Sequence, residues 1–280
     1  MDTVKLLHII NKEDKIVPEV VEKSIPEIIG IVEEATKQIS KGGRMIYVGA
    51  GTAGRLGVLD AAECVPTFGA SPETVIAVIA GGYNSISHPT EGAEDSFSSG
   101  EAEMDRIAVG RDDIVIGIVA SGRAPYVMGA LKRAGELKAV TAAIVNVSNP
   151  AVRKYCDHLV TLLVGPEVIA GSSRMKAGTS EKLVLNMIST AVFVKLGKVY
   201  DNLMIDIRPV NEKLKERMVN IVRKITDVNR DSALSALIEA DWNIKAAIIM
   251  VLNPMSLENA KNILALCNGN LRCALSKFKK

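Results

Sequence analysis

Five short runs of almost continuous apolar residues are spaced along the first 164 positions of the chain. None alternates regularly between apolar and polar residues, which is typical of strands that are covered on both faces. The runs are 45–48, 74–80, 113–120, 139–147 and 158–164. Segments with helical spacing of apolar residues separate most of them, at 54–64, 90–108, 125–137 and 150–156. This alternation predicts an α/β protein with a parallel sheet in a three-layer α/β/α sandwich.

The segments on either side of the predicted sheet have helical patterns. Residues 3–40 predict helices with a break at 11–18, and Gly42–Gly43 is typical of a helix end. A long helix is expected over 177–196, followed by an all-helical remainder with three short helices in 231–280. The chain is therefore divided into an N-terminal helical segment (1–40), a sheet domain (41–200) and a C-terminal helical region (201–280).

The turn after the first predicted strand has the glycine pattern of a dinucleotide-binding loop. Gly49, Gly51 and Gly54 satisfy G-x-G-x-x-G. A dinucleotide fold also needs an acidic residue at the far end of the second strand, about 20 residues later. The nearest acid by count, Glu73, precedes that strand and belongs at the opposite edge of the sheet. The dinucleotide interpretation therefore fails, and what remains is a strand, a turn and a helix N-terminus whose free N–H groups can bind a phosphate.

Two further polar turns follow predicted strands. One is 120–125, in which a proline opens the next helix, and the other is 171–179, which contains two serines and two cations. Each turn alone also fits a solvated loop. Three turns at the carboxyl ends of parallel strands nevertheless favour one phosphorylated small molecule as ligand. The candidate binding residues are Gly51, Thr52, Gly54, Ser121, Gly122, Arg123, Ser172, Ser173, Arg174 and Lys176.

Acidic residues suited to acid–base chemistry follow the first two strands. Glu63 lies on the helix after the first glycine turn, three residues after Asp60. Glu91, Glu94 and Asp95 are expected to open the helix after the second strand, with Glu91 and Glu94 on one face. Acids at a helix N-terminus are also stabilised by the helix dipole without any catalytic role. Carboxylates from separate segments around one cleft would form a general acid–base pair.

Composition excludes several classes of function. The net charge of +2, with only five Tyr, four Phe and one Trp, argues against a nucleic-acid partner. Apolar runs are too short for a membrane span, and no signal-peptide pattern is visible. Four cysteines without C-x-x-C spacing and three scattered histidines predict no metal site. We expect all four cysteines to be reduced thiols of a cytoplasmic protein.

Several of these segments together resemble the N-acetylmuramic acid 6-phosphate etherases, a family of the sugar isomerase (SIS) domain class. The resemblance extends over nearly the whole chain, and GSSRMKAGT and EGAED are much more specific than any glycine turn. The matching segments are 49–69, 79–82, 91–96, 120–127, 164–190 and 197–207. The resemblance implies a five-stranded sheet in flavodoxin-like order, with a small C-terminal helical domain.

The resemblance also implies a lyase of cell-wall sugar recycling. Such enzymes cleave the D-lactyl ether of N-acetylmuramic acid 6-phosphate by elimination and hydration, on the open-chain aldehyde and without cofactor or metal. Glu63 in LDAAEC matches the family's proton donor, and Glu94 in EGAED matches its second catalytic glutamate, the base at C2. Family members are cytoplasmic homodimers with sites at the subunit interface, so a homodimer is expected.

Two other functions are compatible with the same domain. Glucokinase regulatory proteins share it and bind sugar phosphates without catalysis, and isomerases share it as well. The sequence departs from the etherase pattern at Ala53, where a serine is usual, and at Ala124, where a threonine is usual. About 20 upstream residues with a T-E-x-x-N pattern are also missing. The two lost hydroxyls favour a binding protein, whereas Glu63 and Glu94 favour the enzyme.

Overall fold

The computed structural model of the protein describes residues 2–278, which divide into two compact units. The first unit comprises the chain up to Ala62 together with Ser71–Val192. The second comprises Glu63–Ala70 and the chain from Phe193 onward. Along residues 2–278, none of the helices combines the length and the apolar character needed to span a bilayer.

A five-stranded parallel sheet forms the centre of the first unit. Its strands are β1 (Met45–Gly49), β2 (Val75–Ile79), β3 (Ile114–Ile118), β4 (Val140–Val145) and β5 (His158–Thr161). The order is β2-β1-β3-β4-β5, so the expected flavodoxin-like sheet is confirmed. Every residue of β1 and β3 is buried, because these central strands are covered on both faces.

Helices cover both faces of this sheet. α6 packs on β1, β3 and β4 and closes an apolar core with one face of the strands, while α3 packs against β1, β3 and β5. The three-layer sandwich is therefore confirmed. The helices are α1 (Thr3–Asp14), α2 (Val17–Lys23), α3 (Ile25–Ser40), α4 (Gly51–Phe68), α5 (Phe97–Arg106), α6 (Pro125–Glu136) and α7 (Lys176–Lys195).

The second unit is mainly helical but contains a hairpin that the sequence did not reveal. β6 (Val199–Tyr200) and β7 (Leu203–Met204) pair antiparallel, which corrects the all-helical prediction. Four helices, not three, follow residue 229, because Asp241 and Trp242 take positive φ and Asn243 caps the next helix. The helices are α8 (Glu212–Thr226), α9 (Arg230–Glu239), α10 (Ile244–Leu252), α11 (Leu257–Leu266) and α12 (Leu271–Ser276).

The prediction that all four cysteines are reduced is wrong for one pair. Cys267 and Cys273 form a disulfide, whereas Cys156 is a free thiol. Positive φ at Asn268 and in the glycine that follows reverses the chain between α11 and α12. This turn brings the two Cα atoms to 5.7 Å, within the range that a disulfide requires.

Predicted helix boundaries failed where the chain uses 3₁₀ turns. The helix expected over 90–108 begins only at Phe97, after a 3₁₀ turn at Ala93–Asp95. The segment expected as helix at 150–156 is a 3₁₀ helix, Ala151–Tyr155. The predicted break at 11–18 is much shorter, because α1 continues to Asp14 and α2 begins at Val17.

Candidate functional site

Two adjoining pockets open at the carboxyl ends of the central strands. The β1–β3 pocket has a volume of about 210 Å³ and the loop pocket about 330 Å³. The β1–β3 pocket is lined by Ala50, Gly51, Thr52, Ala53, Glu94, Ile118, Val119, Ala120, Ser121, Ala124, Ser173 and Glu181. The loop pocket is lined by Ala50, Gly51, Arg55, Ala80, Ser85, Pro89, Thr90, Glu91, Gly92, Ala93 and Glu94. Both pockets lie in the first unit, at the edge where open α/β sheets bind ligands.

Two helix N-termini meet the β1–β3 pocket. α4 begins at Gly51, two residues after β1 ends, and α6 begins at Pro125, soon after β3. The cap residue of α6, Ala124, has no side-chain acceptor for the first N–H groups of the helix. Free N–H groups and the positive end of the helix dipole favour an anion at this position.

The structure brings together part of the predicted phosphate-binding set. Gly51, Thr52, Ser121 and Ser173, which come from all three predicted turns, line the β1–β3 pocket. The three hydroxyl groups of this set add donors to the N–H groups of α4 and α6. The arrangement supplies what a single phosphate ester requires.

The remaining predicted binding residues lie elsewhere in the same turns. Gly54 packs at the strand, where an added Cβ would lie 2.6 Å from Ile79 Cγ1. Gly122 is buried against Pro150. Ser172 is half-buried, and Arg123 and Arg174 are exposed. Their roles in binding stay predictions.

Lys176 is held by the protein itself. Its side chain is 1% exposed, and its Nζ lies 2.7 Å from Glu13 Oε2. A hydrogen bond from the Lys176 ammonium keeps the pKa of Glu13 below its ordinary value. The N-terminus of α7 is also filled, because the Glu167 carboxylate accepts the N–H groups of Lys176 and Ala177 at 2.9 and 3.0 Å. Lys176 thus joins α7 to α1.

Glu94 stands on the wall of both pockets. Gly92 has φ +70°, in the left-handed region that favours glycine, and starts the 3₁₀ turn Ala93–Asp95 that presents Glu94. The prediction that Glu91, Glu94 and Asp95 open a helix is therefore wrong, and no helical face is shared by Glu91 and Glu94. The exposed carboxylate of Glu94 belongs to a loop that faces the ligand site.

The loop that carries Glu94 is fixed by polar contacts. Arg55, on α4, donates from Nε to the carbonyl of Ile86 at 2.9 Å. The hydroxyl groups of Ser85 and Thr90 lie 2.7 Å apart within the loop. The guanidinium of Arg55 thus anchors the wall of the loop pocket.

Glu63, the other predicted catalytic glutamate, is not part of either pocket. It is exposed on α4. Its neighbour Asp60 points into the first unit and is 5% exposed. Asp60 accepts hydrogen bonds from Tyr47 Oη at 2.9 Å, Asn186 Nδ2 at 2.6 Å and Ser189 Oγ at 3.2 Å. This buried carboxylate therefore links α4 to β1 and α7.

Replacing Asp60 by alanine is expected to destabilise the first unit by about 3 kcal/mol. Three hydrogen bonds are lost from a buried site, and bonds to charged groups contribute about 1.5–3 kcal/mol each, with incomplete additivity. Chemical denaturation checks this value. Ser189→Ala removes only the longest bond and serves as the control with a smaller loss. Equal stability of Asp60→Ala and the parent would contradict the assigned role.

Glu181 is the pocket residue that sequence reasoning missed. It lies on α7, is 1% exposed and lines the β1–β3 pocket. Burial raises its pKa to about 8. A signal was present, because Glu181 interrupts the apolar stripe formed by Val184, Leu185 and Ile188 at helical spacing.

The two alanines that depart from the etherase pattern share one pocket. Ala53 and Ala124 are 7% and 8% exposed and line the β1–β3 pocket from opposite turns. Positions 53 and 124 therefore line the same pocket. The departures change the donor set of one pocket and leave the loop pocket unaltered.

Restoring threonine at position 124 is expected to lower KM for a sugar phosphate about fivefold. A neutral hydrogen bond contributes about 1 kcal/mol, which corresponds to that factor. Steady-state kinetics or calorimetry of Ala124→Thr checks it. Ala62→Ser, on an exposed position of α4 outside both pockets, is the control. An unchanged KM would show that position 124 does not contact the ligand.

Comparisons with known proteins agree with this fold. The sequence pattern of the glucokinase regulatory protein N-terminal SIS domain matches residues 27–135. A phosphoheptose isomerase from Francisella tularensis superposes with a TM-score of 0.54 at 16% identity, covering 69% of this chain and 98% of that one. The parallel sheet and the helices that flank it thus have the SIS class of α/β fold.

Relatives of much higher identity fix the family within this class. N-acetylmuramic acid 6-phosphate etherase 1 of Bacillus licheniformis is 46% identical over 279 residues, which is 100% of this chain and 92% of that protein. The N-acetylmuramic acid 6-phosphate etherase of Caldanaerobacter subterraneus subsp. tengcongensis is 48% identical, covering 98% of this chain and 90% of that protein. The chain belongs to the N-acetylmuramic acid 6-phosphate etherase family.

Proposed function

We propose that this protein cleaves the D-lactyl ether of N-acetylmuramic acid 6-phosphate, giving N-acetylglucosamine 6-phosphate and D-lactate. The observation that carries this proposal is identity of 46–48% with etherases over nearly the whole chain. The pockets support it, because an anion site at two helix N-termini adjoins a carboxylate, Glu94. A phosphate bound at these helix N-termini places the sugar against Glu94.

The phosphate binds in the β1–β3 pocket in this proposal. N–H groups at the starts of α4 and α6 and the hydroxyls of Thr52, Ser121 and Ser173 donate to its oxygens. Anchoring the phosphate fixes the orientation of the sugar, which supplies the proximity that a weak base needs. The exposed loop pocket accommodates the sugar beside Glu94.

The chemistry is an elimination followed by a hydration. In the open-chain sugar the C1 aldehyde acidifies the proton at C2, and the Glu94 carboxylate removes it. The C3–oxygen bond breaks, and the ether oxygen leaves as lactate with a proton from an acid, the role that the family resemblance gives Glu63. Water then adds its hydroxyl to C3 and C2 is protonated again. The carbon–oxygen bond is broken by elimination, and no electrons are transferred. The reaction class is therefore that of a carbon–oxygen lyase.

We further propose that the protein is a cytoplasmic homodimer with its active sites at the subunit interface. α1 supports an interface, because none of its residues is buried and Val4, Leu6, Leu7 and Ile9 are exposed. Exposed apolar residues on one short helix are typical of a surface that a second subunit covers. Sedimentation equilibrium of the full chain measures the assembly state.

Release of D-lactate from N-acetylmuramic acid 6-phosphate is the direct test of the proposed function. The expected result is one equivalent of D-lactate per sugar, measured with a coupled dehydrogenase. In D₂O the sugar product is expected to carry deuterium at C2, because the base exchanges its proton with solvent before C2 is protonated again. Release of lactate with no deuterium at C2 of the sugar product would exclude the elimination.

A sugar-phosphate-binding regulator is the alternative. Its family pattern matches only residues 27–135, whereas the etherases match nearly the full chain, so the enzyme is favoured. Saturable binding of the sugar phosphate with no lactate release would establish the regulator instead.

A further inference from the structure

Glu181 has one buried carboxyl oxygen that lacks a hydrogen-bond partner among the described residues. Its side chain is 1% exposed, and its Oε1 is buried and makes no hydrogen bond within residues 2–278. A buried polar atom without a partner costs free energy, and proteins retain such atoms mainly where function needs them. The same residue lines the β1–β3 pocket.

The position of Glu181 is held by its helix. α7 passes beside the start of α4 at Gly178, where an added Cβ would lie 3.2 Å from Thr52 Cγ2. The adjacent Ser180 accepts a hydrogen bond from Asn146 at 2.9 Å, which ties this turn of α7 to the end of β4. Glu181 therefore faces the pocket from a rigid element.

The pocket is built for an anion, so an ionised Glu181 would oppose the ligand. The starts of α4 and α6 and the hydroxyl of Ser173 direct hydrogen-bond donors into the same volume. A carboxylate at this position would repel a phosphate, whereas a protonated carboxyl group adds one more donor.

Charged groups on the surrounding elements do not decide the protonation of Glu181. Desolvation is the only cause that raises its pKa, to about 8. Glu94 lines the same pocket, Lys176 is paired with Glu13, and Asp60 is bonded to Tyr47. Further titratable groups on these elements include Arg55 of α4, Arg123 of the β3–α6 turn, Arg174 before α7 and Lys182 of α7.

We propose that Glu181 binds the sugar phosphate as a neutral carboxylic acid and donates a hydrogen bond to a phosphate oxygen. This role rests on the proposed function for the identity of the ligand but not for its chemistry, which is that of any phosphate monoester. Glu181 is thus a substrate-binding residue distinct from the two glutamates of the elimination. Its ionisation releases the ligand and sets the alkaline limit of binding.

Calorimetry of N-acetylglucosamine 6-phosphate binding between pH 7 and 9 tests this role. Affinity for the parent protein is expected to fall about tenfold over this interval, because only protein with protonated Glu181, whose pKa is about 8, binds. The phosphate, with its second pKa near 6, stays a dianion throughout. Glu181→Gln keeps a donor that does not titrate, so its affinity is expected to match the parent at pH 7 and to stay constant.

In Glu181→Met the side chain keeps nearly the same shape but has no hydrogen-bond donor. This variant therefore distinguishes a role in ligand binding from a role in stability. It is expected to bind more weakly than the parent at pH 7 and to unfold at a higher temperature at pH 8.5. The parent carries a group whose folded pKa lies above its unfolded value, so its stability declines as pH rises from about 4.5 through 8. A merely structural residue would lose stability on this replacement.

The outcomes separate this inference from the proposed function. The same fall of affinity with pH in Glu181→Gln as in the parent, or parent-like affinity in Glu181→Met at pH 7, would overturn the role of Glu181. Inorganic phosphate is the second probe. A fall of phosphate affinity that Glu181→Gln abolishes, together with no lactate release, would support the inference while the etherase assignment fails.

Discussion

Replacing Glu94 by glutamine is expected to slow D-lactate release about 10²–10⁴-fold, the range that a positioned general base contributes. Glutamine keeps the size of the side chain and its place on the wall of both pockets but cannot accept the C2 proton. The loss is expected in kcat rather than KM, because Glu94 acts on the reacting carbon and not on the phosphate. Incorporation of deuterium at C2 is expected to disappear with it.

Asp95→Asn is the matched control for this experiment. Asp95 belongs to the same 3₁₀ turn, is exposed and lines neither pocket. Neutralising it changes the local charge by the same amount without removing a group from the site. Activity of Glu94→Gln within a factor of three of the control would exclude Glu94 as the base.

Replacing Glu63 by glutamine is expected to slow lactate release by a similar factor, although Glu63 lines neither pocket of the chain. The reason is the proposed role as proton donor to the leaving ether oxygen, in a site that two subunits share. A shared site makes a further prediction. Mixed dimers of Glu63→Gln and Glu94→Gln subunits contain one complete site, so random mixing regains about a quarter of the parent activity.

The mixing experiment decides between sites within one chain and sites across the interface. If each chain supplied both glutamates to its own site, every site in every mixed dimer would lack one of them. Glu73→Gln, an exposed acid in the loop before β2, is the control and is expected to keep full activity. Full activity of Glu63→Gln would remove this residue from the mechanism.

The sheet could be predicted from the sequence because strands that are buried on both faces have a simple sequence pattern. Central strands such as β1 and β3 admit almost only apolar residues, so their positions appear as uninterrupted apolar runs. The turns after these strands could also be predicted, because glycine and proline mark where a strand passes into a helix. The dinucleotide alternative also failed on the sequence alone, through the position of Glu73.

The loop that presents Glu94 could not be predicted in detail. EGAED is compatible with a helix start by composition, but Gly92 takes a left-handed conformation and leaves Glu94 on a 3₁₀ turn. The break at Asp241 and Trp242 was missed for a related reason, since positive φ is uncommon in residues other than glycine, and a bulky residue such as Trp242 adopts it rarely. Local propensities do not encode conformations that tertiary contacts impose.

Contacts between residues that lie far apart in the sequence could not be predicted from the sequence pattern either. Lys176 belongs to a segment typical of phosphate binding, yet its ammonium is paired with Glu13, 163 positions away. Asp60 was noted only for its spacing from Glu63, but it receives hydrogen bonds from β1 and α7. Side chains of opposite charge or matching polarity find each other only when the chain is folded.

The sequence by itself determined the class of fold, the edge of the sheet that carries the polar turns and the residue types available there, because periodic burial and turn chemistry are local properties. Tertiary structure alone decided which candidates share a pocket. It placed Thr52, Ser121 and Ser173 together with Ala53 and Ala124, and it added Glu181 from α7. The physical reason is desolvation, because the burial that raises the pKa of Glu181 to about 8 depends on every surrounding element at once.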